Sequence, residues 1–222
     1  MHAPLATPPV QMYQLKITLR HVTPMVWRRL LVPSTTTIAH LHSIIQTVMG
    51  WDDLHVHRFC IYGKAYGIYR SGGFGFDDDP TVVCLADFRW RAGERFLYDY
   101  DMGALWQHDI WLEHIHTAET RPAVPCCIAG AGDCPPEDCG GPAGYRVLLR
   151  ELVSWHTSEE FCADMLLIAE RVTAFAHGGP QPTTEDLDFM EALDRLRARE
   201  DWCPTAFNRR AVNRALRALE KE

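Results

Sequence analysis

Residues 13–50 read YQLKITLRHVTPMVWRRLLVPSTTTIAHLHSIIQTVMG, and this stretch decides the fold. It opens with alternating apolar and polar residues up to Arg20, which predicts a half-buried strand, and a second β-rich run over 26–32 follows a turn. The two runs together predict a hairpin. Apolar residues then recur at helical spacing from Ile38 to Met49, after threonines that can cap a helix and before Gly50, which suits the left-handed position after its end.

The rest of the chain adds strand signals and then helices. Alternating runs over 95–101 and 106–115 flank a Met102-Gly103-Ala104 turn and predict a second hairpin. Between 122 and 144, ten of 23 residues are Gly or Pro, a density that we expect to exclude regular structure. A βαβαβ alternation is absent. The order therefore predicts an α+β fold in which a helix crosses an antiparallel sheet, as in a β-grasp (ubiquitin-like) roll.

We expect two parts. Residues 12–155 form the α+β core, with a knuckle of Cys, Pro and Gly residues at 122–144. Residues 156–222 form a helical C-terminal extension that packs on the core. The length of 222 residues suits one substantial domain with such an appendage.

Composition excludes several classes of protein. With 47% hydrophobic and 23% charged residues, the chain is neither wholly disordered nor fibrous. Its 29 acidic and 22 basic residues give a net charge of −7, which counts against strong sequence-independent binding of nucleic acid. No apolar run is long enough to cross a membrane, and the first residues lack the features of a signal peptide. We therefore expect a cytoplasmic protein with no membrane contact.

The strongest chemical signal is the cysteine-rich loop inside the knuckle. Cys127, Cys134 and Cys139 follow a C-x6-C-x4-C spacing, and the surrounding Gly and Pro residues let the backbone turn the thiols inward. In a reducing compartment such a loop is more often a metal site than a set of disulfides. Three thiolates leave one position of a tetrahedral zinc site to fill. We expect His108, on the adjacent predicted strand, to fill it.

Alternatives to this ligand set stay open. Cys126 can replace Cys127 as the first ligand, and His57, His114 and His116 are rivals for the fourth position. Free thiols in a tight loop, or a redox pair of cysteines, are also compatible with the spacing.

Carboxylates surround His108 at the second predicted hairpin. Asp99, Asp101 and Asp109 would lie near its imidazole, and such a set suits a hard metal ion or acid–base chemistry. An Asp at the start of a turn also bonds its own backbone, which is the alternative interpretation of Asp101.

Two further patterns carry less chemistry. His55 and His57 would share one face of a strand behind an acidic turn, which suits one metal ion, although solvent-facing imidazoles give the same pattern. Arginines on the last helix, together with Arg20, Arg28 and Arg29, could meet phosphate, although a solvated face explains them as well. The signatures GxSxG, GxxxxGK(S/T), HExxH and GxGxxG after a strand are absent.

Several strings carry a resemblance to a known family. They are YQLKI at 13–17, PMVWRR at 24–29, MGWDD at 49–53, YDMG at 100–103, WQHDI at 106–110 and CPPEDCGG at 134–141. They resemble the plasmid pRiA4b ORF-3-like proteins, also described as TnpR-like passenger proteins of a mobile element. The resemblance covers about 12–155 and 203–217 and implies a compact α+β fold of the β-grasp kind; it implies no particular reaction. The chain departs from the family at Met102 and Ala104, where the family has Phe and Asp.

These patterns lead to a functional expectation. We expect an accessory or binding module whose zinc-closed cysteine loop fastens the knuckle to the sheet. An exposed groove near His57, Asp101 and Trp106 would contact a protein or peptide partner. The alternatives are a metal-dependent hydrolase or nuclease, with Asp101 or His108 as general base, and a nucleic-acid accessory protein of a mobile element.

Overall fold

The computed structural model describes residues 11–67, 76, 78–117, 124–156, 158–197 and 206–221. The strands are β1 Gln11–Leu19, β2 Trp27–Pro33, β3 His57–Ile61, β4 Lys64–Tyr66, β5 Arg95–Tyr100, β6 Trp106–Thr117 and β7 Cys126–Ala131. The helices are α1 Ile38–Met49, α2 Gly141–His156, α3 Glu159–Ala176, α4 Leu187–Arg197 and α5 Arg209–Leu219, with a short 3-10 helix at Leu85–Phe88.

The chain divides into two compact units. Met1–Pro142 and Ala206–Glu222 form the first, which holds the strands, α1 and α5, and Ala143–Thr205 form the second. How the helical segment packs on the sheet stays a prediction. None of the helices in the described residues is both long enough and apolar enough to cross a lipid bilayer.

The first unit is built on a seven-stranded sheet in the order β4-β3-β5-β6-β1-β2-β7. Every pairing described in this sheet is antiparallel. The prediction of an antiparallel sheet accompanied by helices is confirmed, and so is the hairpin of β1 and β2, in which Met12 faces Pro33 and Thr18 faces Trp27.

Helix α1 begins and ends as its sequence predicts. The Thr37 side chain accepts a hydrogen bond from the His40 amide at the start. Gly50 has φ +77 at the end, and its amide donates to the Gln46 carbonyl. A residue with a Cβ would be strained in this conformation, which is why glycine stands there.

The core lies between α1 and one face of the sheet. Fully buried side chains from the helix, such as Leu41 and Ile45, and from the strands, such as Ile17, Tyr98 and Ile110, fill it. Each of the aliphatic side chains among them contributes roughly 1.5–3 kcal/mol through burial. Strand residues alternate between this face and the opposite one, which we call the outer face.

The expectation that 122–144 holds no regular structure is wrong, because β7 runs through Cys126–Ala131 and pairs with β2. Its glycines and prolines lie mostly outside the strand, and Gly130 sits near its end. An edge strand tolerates such residues because it is bonded on one side only. Gly130 is also required by space, since a Cβ there would lie 2.7 Å from the Phe207 ring.

Helix α5 packs against α1 and β7 within the first unit. Its Asn213 side chain accepts from the Cys127 amide and donates to the Cys127 carbonyl, both at 2.8 Å. The Asn213 side chain therefore makes the two backbone hydrogen bonds that a neighbouring strand would otherwise make with Cys127. In the second unit, Arg195 of α4 makes a two-pronged contact with Asp164 of α3 at 2.7 and 3.0 Å.

Candidate functional site

His42 lies on the buried face of α1 and is held at both ring nitrogens. Its Nδ1 is 2.8 Å from the Tyr98 hydroxyl on β5, and its Nε2 is 2.9 Å from Asp53 Oδ1. Only 1% of the residue is exposed. The helix places it there because His42 falls within the apolar stripe that packs on the sheet. The imidazole therefore has a fixed orientation between helix and sheet.

The Tyr98 hydroxyl joins His42 to a second polar side chain of the same helix. Gln46, one helical turn further on, donates from Nε2 to this hydroxyl at 2.8 Å. Burial raises the pKa of Tyr98 well above its ordinary value, so the phenol keeps its proton. The consistent assignment is that the phenol donates to His42 Nδ1 while His42 Nε2–H donates to Asp53. This chain of hydrogen bonds directs the imidazole toward the carboxylate.

His57, the first residue of β3, completes a compact group with His42 and Asp53. Its ring stacks on that of His42, with centroids 3.5 Å apart and 12° between the planes. One ligand atom from each of the three side chains lies within 4.8 Å of the other two. No other set of three or more His, Cys, Asp or Glu side chains is as close anywhere in the described residues. The side chain of Asp53 is 39% exposed, so solvent reaches the group from its side.

Imidazole nitrogens and a carboxylate are the ligands that zinc and similar divalent metals take in proteins. Three such ligands leave a fourth tetrahedral position for water or a bound group. The donor set of His42, Asp53 and His57 therefore fits a transition metal better than it fits calcium or magnesium, which prefer oxygen ligands throughout.

Glu137 fastens the loop that carries Asp53. Its carboxylate accepts backbone hydrogen bonds from Asp52 at 2.7 Å and from Leu54 at 3.1 Å, on either side of Asp53. Asp53 has φ +55, a left-handed conformation that Asp adopts more readily than most residues. The position of the Asp53 carboxylate thus depends on a residue from the knuckle.

Aromatic side chains fasten the knuckle in turn. Trp51 Nε1 donates to the Pro135 carbonyl at 2.9 Å, and Trp106 Nε1 donates to the Glu137 carbonyl at 3.0 Å. The Tyr100 hydroxyl donates to the Glu137 carboxylate, and burial together with this contact raises the pKa of Tyr100. These hydrogen bonds from aromatic side chains therefore connect the knuckle to the sheet.

The predicted zinc ligands do not form a comparably close group in the part of the chain that the structure describes. The three thiols have different neighbours: Cys127 Sγ lies 3.4 Å from the Ala129 carbonyl, Cys134 Sγ 3.5 Å from Met49 Sδ, and Cys139 Sγ 4.0 Å from the Gly141 carbonyl. Burial raises the pKa of each thiol, so in the absence of a cation the three side chains keep their protons. The thiol site stays a prediction.

His108, the predicted fourth ligand, lies in the core. Its residue is fully buried, and burial lowers its pKa to about 4. Its Nδ1 is 3.3 Å from the Tyr98 carbonyl, and its Nε2 has no hydrogen-bond partner among the described residues. The ring packs edge-on against Trp51 with centroids 5.6 Å apart. It is a neutral imidazole in an aromatic environment.

The residues predicted to bind a partner are mostly buried. His57 is 3% exposed and Trp106 is fully buried. Asp101 is the one that reaches the surface, and its carboxylate accepts from the Gly103 amide at 2.9 Å and the Ala104 amide at 3.2 Å. These bonds confirm the alternative interpretation of Asp101 as a residue that fixes its own turn.

The prediction that His55 and His57 lie as a pair on one face of a strand is wrong. Strand β3 begins at His57, so His55 lies in the preceding loop, where its Nε2 is 2.7 Å from Asp138 Oδ1. Sequence reasoning did not single out His42. The sequence does contain a pattern that could have indicated it, because His42 and Gln46 are two polar residues, four positions apart, inside an apolar helical stripe.

Comparisons with known proteins give a family. The family described as "Plasmid pRiA4b ORF-3-like protein" matches residues 11–170. The chain is 38% identical over 138 residues to "Uncharacterized protein y4hQ" of Sinorhizobium fredii, covering 60% of this chain and 69% of that relative. It is also similar to the solved structure of a protein of unknown function, MM3350, from Methanosarcina mazei Go1. That match has a TM-score of 0.58 and 34% identity, over 64% of this chain and 82% of the other.

Proposed function

The chain belongs to the plasmid pRiA4b ORF-3-like family, and on that premise we propose that it is a binding module built around a divalent metal, zinc in the first instance, held by His42, Asp53 and His57. One observation supports the proposal above all: the ligand atoms of these three side chains lie within 4.8 Å of one another. The Tyr98 hydroxyl also orients the His42 ring through Nδ1, and metal-binding imidazoles usually have such a hydrogen-bond partner on the other nitrogen.

Metal binding requires two adjustments. A metal ion lies in the plane of each imidazole that binds it, so the parallel rings of His42 and His57 must tilt apart. His42 also changes tautomer: it gives up the Nε2 proton and takes one up at Nδ1, which then donates to Tyr98, whose hydroxyl rotates to accept.

Titration of the full chain with Co²⁺ and Zn²⁺, followed by absorption and calorimetry, tests this site. We expect one ion per chain, with affinity reduced at least about 10-fold in each of H42N, D53N and H57N. His114→Asn, a change of the same type at an exposed histidine, should leave the affinity unchanged. Equal affinity in all four variants, or no binding by the parent chain, would refute the proposal.

The same titration separates this site from the predicted thiol site. Thiolate ligands give Co²⁺ an intense near-ultraviolet charge-transfer band, which imidazole and carboxylate ligands do not. We expect no such band and no effect of Cys134→Ser. A band that disappears in Cys134→Ser would instead support a zinc site at Cys127, Cys134, Cys139 and His108.

The vacant fourth position favours one alternative, a metal-dependent hydrolase or nuclease, because a metal-bound water there could act as nucleophile. The predicted bases suit this role poorly, since His108 is buried and the Asp101 carboxylate is engaged in its turn. Turnover of phosphoester or peptide substrates by the metal-loaded chain, lost in D53N, would support the alternative.

The proposal also covers the cellular compartment, the binding partner and the type of fold. The seven cysteines in the described residues form no disulfide with one another, which suits a reducing compartment such as the cytoplasm. A protein or peptide partner and the β-grasp assignment of the sheet remain part of the proposal. Pull-down with the full chain in the presence and absence of Zn²⁺ would test whether partner binding depends on the metal.

A further inference from the structure

The outer face of the sheet carries a row of basic and aromatic side chains. The register of four adjacent strands places Arg95 beside Trp111, Trp111 beside Lys16, and Lys16 beside Arg29. Neighbouring strands are about 4.8 Å apart, so the four positions span roughly 15 Å across the sheet. We call these four residues the outer row.

Two indole rings hold the cations of the outer row. The Arg95 guanidinium lies 4.4 Å from the centre of the Trp111 ring. Lys16 Nζ and the Arg29 guanidinium lie 5.3 and 5.2 Å from the Trp27 ring, which adjoins the row on β2. Contacts of this kind orient a cation while leaving its hydrogen-bond donors available. Trp111 is 37% exposed, unusual for a residue of its size on a strand.

The charged side chains that the described strands place on the outer face sum to a positive charge, unlike the whole chain. Three acidic side chains on it each pair with one cation: Glu113 with Arg29 at 2.6 Å, Asp99 with Arg58 at 2.6 Å, and Asp109 with Arg20 at 3.6 Å. Lys16 and Arg95 make no ion pair within 4.0 Å with any carboxylate that the structure describes. These five cations and three anions sum to +2, on a chain of net charge −7.

Arg28 does not belong to this face, although the sequence grouped it with Arg20 and Arg29. It is 3% exposed, and its guanidinium donates to the carbonyls of Val48 and Ala131. The alternation of strand β2 turns it toward the core. Since Arg29 is paired with Glu113, the cations available to a ligand are Lys16 and Arg95, which lie next to the indoles.

We propose that the outer face binds single-stranded nucleic acid, with a base against Trp111 and phosphates at Lys16 and Arg95. Antiparallel sheets that expose aromatic and basic residues bind single strands in this way, because every base offers a π face and every nucleotide a phosphate. An acidic peptide would use the cations and leave the indole without a partner. A duplex would hide its base faces from Trp111.

Fluorescence anisotropy with the full chain and labelled 12-nucleotide strands, dT12 and U12, tests the proposal at low and then rising salt. Trp111→Ala should weaken binding at least about 5-fold, since stacking on an aromatic contributes roughly 1–3 kcal/mol per base. Trp111→Phe should restore part of the loss. The double variant K16Q/R95Q should reduce the slope of log K against log salt by about 1.4 for the two lost phosphate contacts.

A matched control separates a site from general electrostatics. R210Q/R217Q removes two exposed arginines from α5 and changes the net charge by the same amount. It should bind like the parent chain, and all variants should have the parent's near-ultraviolet circular dichroism. The proposal would be overturned if both double variants lost affinity equally, or if the parent chain did not bind at low salt. It would also be overturned if a duplex bound as tightly as dT12, or if an equal concentration of a 12-residue polyglutamate displaced dT12.

Discussion

The Glu137 carboxylate accepts a hydrogen bond from the Asp52 amide at 2.7 Å. This contact joins two segments that lie 85 residues apart in the sequence. The same carboxylate also accepts from Leu54 and Tyr100. A single side chain from the Pro- and Gly-rich knuckle therefore fixes the loop that presents Asp53 to the imidazoles.

Glu137→Ala should lower the free energy of unfolding by about 2–3 kcal/mol, because it leaves two backbone amides and one phenol without their acceptor. Urea unfolding followed by tryptophan fluorescence measures the change. Metal affinity should fall as well, since the Asp53 loop loses its restraint. Glu185→Ala, an exposed position in the second unit, is the control and should change neither quantity. An unfolding free energy equal to that of the parent would show that Glu137 does not hold the loop.

Tyr98→Phe removes one hydroxyl from the core and should cost about 1–3 kcal/mol, because Gln46 and His42 each lose a buried partner. We also expect weaker Zn²⁺ binding, since the imidazole of His42 is then free to rotate. Calorimetric titration of the refolded variant measures this. Phe96→Leu, which loses core packing on the same strand but no hydrogen bond to His42, should reduce stability while leaving the metal affinity close to that of the parent. An equal loss of affinity in both variants would argue against an orienting role.

Gly141 and Gly63 both have positive φ, but only Gly141 is also confined by its surroundings. A Cβ at Gly141 would lie 2.1 Å from the Ala104 carbonyl oxygen, whereas a Cβ at Gly63 would meet nothing within 4 Å. Gly63→Ala should therefore cost about 1 kcal/mol and Gly141→Ala about 3 kcal/mol or more. Thermal unfolding compares the two. Equal losses would mean that the knuckle does not approach the second hairpin this closely.

The pair of Arg29 and Glu113 predicts a specific response to acid. Hydrogen bonds from Arg29 hold the pKa of Glu113 below its ordinary value. A lowered pKa in the folded state stabilises the protein above the unfolded value, about 4.3, and this contribution disappears as the pH falls through the folded pKa. Replacement by Glu113→Gln should cost about 1 kcal/mol at pH 7. The difference from the parent should shrink below pH 4.3 in urea unfolding; a difference constant down to pH 3 would contradict the assignment.

The first fifty residues carried the most information about the fold. The hairpin and α1 were predictable from alternation, capping threonine and terminal glycine, because these signals are local. Strand β7 was not, because Gly130 and the nearby prolines break the local pattern while pairing with β2 and the Asn213 side chain compensates for it. Such compensation comes from residues far away in the sequence.

The candidate metal site shows even more clearly that local sequence patterns do not reveal contacts between distant residues. His42 comes from a helix, Asp53 from a loop and His57 from a strand, and only the folded sheet brings them together. Cys127, Cys134 and Cys139 are close in sequence and therefore attracted the prediction. The spacing of a loop does not state which way each thiol points, and the structure gives each one a different neighbour.

The closure of the β7 edge by Asn213 has a consequence for biosynthesis. On the ribosome all seven strands emerge before α5, because residues 143–205 are translated in between. At ordinary elongation rates these 63 residues take roughly 3–13 s. Throughout that interval the backbone of Cys127 is available to a strand of another nascent chain. Production of this protein should therefore depend on molecular chaperones more strongly than the modest size of its sheet suggests.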